Sequence, residues 1–125
     1  MTSLEIVNKF YQLNNEIPSG RASVEDFKPL LADDFLFVGP LMQMEGAENY
    51  INLLRQFLSF HKSLEIVKQI ANGNEICTIT ELKLNTPSGN ELKMEIAEWI
   101  EVEDNKLKSH KIYYDPRAFN EAFQM

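Results

Sequence analysis

Apolar side chains fall at positions 4, 6, 7, 10, 11 and 13, a helical spacing that predicts a helix over residues 4–13. Ser3 caps it, with Glu5 in the first turn. The run "NNEIPSGRA" then breaks the period. A second, short helix is expected after Ser23, with Asp26 three residues on and Phe27, Leu30 and Leu31 on its apolar side. Pro29 kinks or shortens it. Residues 35–38 read as a strand stopped by Gly39-Pro40. Over residues 46–60 the helical period returns, and Tyr50, Ile51, Leu54, Phe57 and Leu58 form one wide stripe ending at Phe60.

From Ser63 onward the period is two. Two strands meet at Asn72-Gly73, a dipeptide suited to a tight hairpin turn. "TPSGN" turns the chain again, "ELKMEIAEWIEV" is a long third strand, and "EDNK" leads into "LKSHKIYY". "DPRAFNEAFQM" is expected to close the chain as a short helix with Pro116 at its start. Strands joined by hairpins pair antiparallel, and the helices must cover one sheet face. The expected class is α+β: a cone-shaped roll, its curved antiparallel or mixed sheet wrapped over the N-terminal helices.

The length of 125 residues and 44% apolar content suit one domain with one core, residues 1–125. Twelve Lys and Arg against 19 Asp and Glu give a net charge of −7, which disfavours phosphate backbones and anionic lipid. Neither a nucleic acid nor a membrane is therefore an expected partner. A small apolar ligand is compatible, because a buried pocket need not share the surface charge. The lone Cys77 has no internal disulfide partner and no activating neighbour, and reads as inert packing. No secretory leader or bilayer-length apolar run is visible, so the cytoplasm is the expected location. Cys and His spacings fit no zinc site, His61 and His110 are far apart, and no phosphate loop, nucleophile elbow or dinucleotide fingerprint is present. No cofactor and no metal are implied.

"FYQLNN", "LLADDFLFVGP", "GAENYINLLRQF" and "NKLKSHKIYYDPRAF" together resemble the nuclear transport factor 2-like superfamily, with its SnoaL-like and ketosteroid-isomerase-like domains. The resemblance covers nearly the whole chain. It implies the cone-shaped roll, and it spans isomerases, cyclases, epoxide hydrolases, dehydratases and non-enzymatic binders, so it leaves function open. In the steroid isomerases the residue before this proline is the aspartate that moves the proton; here it is Gly39. The family tyrosine of the first helix falls on Phe10, with Tyr11 adjacent, and the aspartate of the long strand falls on Glu98. One of three parts remains, so steroid isomerisation is not expected. Epoxide-hydrolase relatives need an arginine in the sheet, and Arg21, Arg55 and Arg117 all lie outside expected strands. The family parity turns Phe35, Phe37 and Gly39 inward, and Leu54 and Phe57 would line the same cavity. Gly39 would then add volume for a bulky apolar ligand.

The strands themselves mark candidate chemistry. In "ELKMEIAEWIEV", Glu98 shares the apolar face with Ile96 and Ile100. Desolvation there raises a carboxyl pKa and makes it a functional candidate; the alternative is a rim glutamate or one satisfied by a hydrogen bond. His110, Ile112 and Tyr114 share a face of the last strand. A three-residue "EDN" loop sets His110 directly opposite Glu98, whereas a two- or four-residue loop sets Lys111 there. A facing His-Glu pair could relay a proton near neutral pH. Tyr114 is either a ligand-facing phenol or a core aromatic. Asp115-Pro116 reads as a cap and turn, and Asp33-Asp34 as a turn leading into the strand. Trp99 stands beside Ala97 on the polar face, which suggests a covered surface. The resemblance implies a homodimer there. Three readings follow: acid/base catalysis by Glu98, His110 and Tyr114 on an apolar substrate; ligand binding without catalysis; or a filled interior, with function on the surface near Trp99.

Overall fold

The computed structural model describes residues 1–123; of the expected terminal helix, residues 124 and 125 lie outside them. Helix α1 is Ser3–Glu16, capped by Thr2 in a reciprocal box with Glu5, so the cap is one residue earlier than Ser3. Its buried positions Ile6, Val7, Phe10, Tyr11 and Asn14 follow the expected period. Val24–Leu30 is a 3-10 helix rather than an α-helix, with Pro29 inside it and the Ser23 N–H donating to Asp26. The next helix, α2, is Ala47–Phe57, and its last expected turn tightens to a 3-10 helix at Leu58–Phe60. Gly46 begins α2 with φ of 96°, a conformation that glycine adopts without a steric cost. Helix α3 is Arg117–Phe123.

The six strands are β1 (Leu31–Val38), β2 (Gln43–Glu45), β3 (His61–Asn72), β4 (Glu75–Asn85), β5 (Glu91–Glu103) and β6 (Lys106–Tyr113). Their order is β2-β1-β6-β5-β4-β3. Pairing is antiparallel throughout except β1 with β6, which is parallel, so the sheet is mixed, curved and unclosed. Strand β1 starts four residues before Phe35, which puts Asp33 and Asp34 inside it, both exposed, with Asp34 held by Lys108 at 2.5 Å.

Two apolar clusters fill the concave side. One joins α1, α2 and the Phe27 segment to β1, β4, β5 and β6, and includes Val7, Phe10, Phe35, Ile51, Ile76 and Ile100. The other gathers Leu84, Met94, Ile96 and Phe119 beneath α3. Burying the first cluster's side chains stabilises the fold by roughly 1.5–3 kcal/mol each before ordering costs.

A candidate active site in the sheet's concave face

A cavity of about 200 Å³ opens between the two clusters. Of the expected site residues, Glu98, His110, Tyr114, Phe10, Tyr11, Phe37, Gly39, Leu54, Phe57 and Ile112 line it. Phe35 and Ile100 are fully buried core instead. Phe35 packs edge-on against Tyr50 at 4.9 Å, and Ile100 is locked between Ile76 and His110 in the sheet register. Tyr114 joins the α3 cluster, its ring 6.4 Å from Phe119, and burial pushes its phenol pKa up.

The acid and the imidazole meet. His110 Nε2 lies 2.5 Å from Glu98 Oε1, and both side chains are 5% exposed. The facing pair is the expected one, but the register that makes it is neither of the two expected. The turn has two residues, Asp104 and Asn105, both at positive φ, as a tight primed hairpin requires. A bulge at Lys108 then shifts the pairing, so that Glu98 opposes Ile112 and His110 opposes Ile100. The pair is therefore diagonal across the same face, within reach of long side chains.

Thr80 donates its hydroxyl to Glu98 Oε2 at 2.7 Å and is completely buried. Both carboxylate oxygens are thus engaged. A carboxylate only accepts, so with Glu98 ionised Nε2 is the donor, and in the neutral imidazole His110 Nδ1 then carries a bare lone pair. Among the described residues no group pairs with Nδ1, nor with the buried Tyr11 hydroxyl. Burial, then the nearby Glu98 charge, pushes the phenol pKa of Tyr11 well up, so it acts only as a neutral donor. The same causes act on Tyr50. Phe10 and Phe37 meet the His110 ring edge-on at 5.3 and 5.6 Å and hold its plane. Thr80 was not among the expected residues, although its parity with Ile76, Thr78 and Leu82 puts it on the inner face, diagonal to the acid and one pair along from Thr78, which opposes Glu98.

Gly39 does not add the expected volume. A side chain there would meet Ile112 Cγ1 at 3.2 Å, so Ile112 occupies the room a carboxylate would need. A second polar cluster completes the wall: His61 Nε2 lies 3.2 Å from Asn15 Oδ1, which also accepts from the Leu64 N–H. Burial lowers the His61 pKa. Among the described residues no three His, Cys, Asp or Glu side chains converge as a metal site, and no helix is long and apolar enough to cross a membrane.

The SnoaL-like domain family matches residues 7–110, and the chain belongs to that family. Solved structures repeat the fold. An NTF2-like protein of unknown function from Cytophaga hutchinsonii ATCC 33406 is 24% identical, over 95% of each chain, with a TM-score of 0.76. An NTF2-like protein of unknown function from Burkholderia pseudomallei K96243 is 11% identical, over 100% of this chain and 99% of that one, with a TM-score of 0.81. An LEH-like epoxide hydrolase from M. tuberculosis is 15% identical, over 98% of this chain and 89% of that one, with a TM-score of 0.78. No curated protein matches the chain. At these identities the likeness is one of fold. This chain's arginines stay off the sheet: Arg55 is on α2, Arg117 on α3, and Arg21 follows α1.

Proposed function

We propose that this is a small-molecule domain that performs cofactor-free acid/base chemistry on an apolar substrate, of the isomerisation, cyclisation or dehydration kind. The observation that carries the reading is the 2.5 Å contact between His110 Nε2 and Glu98 Oε1 at the wall of an apolar cavity. His110 carries the proton at Nδ1, and Glu98 fixes the ring and stabilises the imidazolium that forms. This reverses the roles that the sequence suggests, where the acid moves the proton. The motive is occupancy: both Glu98 oxygens are already bonded, and Nδ1 is not. Tyr114, packed on Phe119, bounds the apolar end and takes no part in the proton transfer.

Hydrogen–deuterium exchange α to the carbonyl of small cyclic ketones and enones, followed by mass spectrometry, tests the reading. Wild-type protein accelerates exchange, whereas His110→Gln does not. Absence of exchange above buffer, or exchange that survives in His110→Gln, contradicts it. Ligand binding without catalysis is the second reading. It is favoured by Gly39, where no carboxylate exists and Ile112 fills the room for one.

A homodimer through the outer sheet face is part of the same proposal. Support comes from a cross-strand row, Ile70–Cys77–Trp99–Lys111, with Ile79, Ala97 and Tyr113 in the next row. Ile70 is 60% and Tyr113 55% exposed, which is costly for a monomer's surface. Lys111 covers Trp99 only in part, its ammonium 5.1 Å from the ring.

A further inference from the structure

Among the described residues the cavity wall contains no lysine or arginine, and Glu98 is its only carboxylate. A buried carboxylate without such a cation depends on hydrogen bonds to stay charged. Glu98 has two: the imidazole at 2.5 Å on Oε1 and the Thr80 hydroxyl at 2.7 Å on Oε2. Thr78 stands directly opposite Glu98, but its hydroxyl is engaged by the Gln69 amide at 3.1 Å, and the bond comes from one pair further along. The Thr80 hydroxyl has a single proton to give. Its other acceptor, the Ile96 carbonyl, is 3.5 Å away, so that proton is directed at Glu98.

The Thr80 bond bears on where the next proton rests. At rest, Thr80 and His110 Nε2 each donate to the carboxylate, and Nδ1 has no partner. When Nδ1 takes a proton from a substrate, two arrangements are open. Either Nε2 keeps its proton and an imidazolium faces a carboxylate, or that proton passes to Oε1 and a neutral ring faces a carboxylic acid. A donor to the ionised form favours the first arrangement. We propose that Thr80 is a positioning residue that keeps Glu98 ionised while His110 holds the substrate proton. Thr80 thereby makes Glu98 a counter-charge for His110 instead of a second base that competes for its proton. It acts through Glu98 and touches no substrate. This inference deepens the acid/base reading above and rests on it.

Nitrogen-15 NMR of the His110 ring, on acidification from about pH 8 to about pH 5, tests it in wild type, Thr80→Val and Thr80→Ser. Valine keeps the shape of threonine and removes the donor; serine keeps the donor and removes a methyl. The other titratable groups in the wall are Tyr11, Tyr50, Tyr114 and His61. Burial pushes the three phenols up, so they stay neutral throughout, and the His61 ring has its own signals. In wild type and Thr80→Ser, Nε2 keeps its proton at every pH, including where Nδ1 gains one. In Thr80→Val, Nε2 turns pyridine-like as Nδ1 gains its proton, because the Nε2 proton has passed to Glu98. A Thr80→Val ring that follows the wild-type course, or a wild-type ring whose Nε2 loses its proton on acidification, overturns the proposal. A Thr80→Ser ring that behaves as Thr80→Val does assigns the effect to the missing methyl and overturns it too. Ketone exchange at about pH 7 drops about tenfold or more in Thr80→Val, the worth of one hydrogen bond to a charge, and stays near wild type in Thr80→Ser. Exchange undiminished in Thr80→Val overturns the proposal as well. If the nitrogen signals divide as described and none of the three proteins exchanges ketones, Thr80 keeps its hold on the pair and the reading of the function fails.

Discussion

Removing the Glu98 carboxylate in two ways separates the bonds it makes from the space it fills. Glu98→Gln keeps the shape. Its amide carbonyl can still accept from Thr80, and its N–H can donate to His110 Nε2, provided the imidazole switches its proton to Nδ1. Two charge-assisted hydrogen bonds become neutral ones, a difference of about 1 kcal/mol each, offset by no longer burying a charge. The expected loss of stability is about 1 kcal/mol. Glu98→Ala strands the Thr80 hydroxyl and His110 Nε2 and leaves a void, since both lie within a few per cent of complete burial. Breaking a buried pair by removing one partner costs about 3–5 kcal/mol. Urea unfolding at pH 7, with the slope unchanged between variants, reads these differences directly. If alanine and glutamine cost the same, or if alanine costs less than about 1 kcal/mol, the carboxylate is not engaged as described.

Three further outcomes are expected. Gly39→Asp crowds Ile112 and costs about 1–3 kcal/mol by overpacking, and the cost shrinks in an Ile112→Ala background, which removes both contacting carbons; equal costs in both backgrounds remove the steric account. His61 has a lowered pKa in the fold, so the unfolded chain binds its proton more readily, and the stability this confers is present above about pH 6.5 and lost as pH falls below it. His61→Gln should therefore show a flatter melting temperature between pH 7 and 5 than wild type, and parallel curves would contradict this. For the proposed dimer, Trp99→Glu should halve the mass measured by light scattering, whereas a wild-type protein that is already monomeric refutes the interface.

The alternation around Glu98 made the inner face of β5 legible, because one charged residue in an apolar row stands out at a period of two. The same period identified His110. Their pairing was legible but the register behind it was not, since a two-residue turn and a one-residue bulge at Lys108 together produce a register that neither turn length gives alone. The three residues of β2 are too few to carry a period, and the parallel pairing of β1 with β6 joins segments about seventy residues apart in sequence. Phe35 and Ile100 have the correct parity for the concave side, yet both are completely buried, Phe35 against the Tyr50 ring and Ile100 in the core cluster. Parity gives the face of a residue, not whether another side chain lies over it. Gly39 shows the same limit: its missing side chain was visible, but the Ile112 branch that takes its place comes from the opposite end of the chain.

The central claim is that His110 is held through Nε2 by Glu98 and keeps a bare Nδ1 with no partner among the described residues. Nitrogen-15 NMR of the His110 ring at pH 7 tests it most directly. The account predicts a proton on Nε2 and an unprotonated, pyridine-like Nδ1, with the two exchanging roles in Glu98→Gln. A wild-type ring with its proton on Nδ1 and none on Nε2 would contradict it.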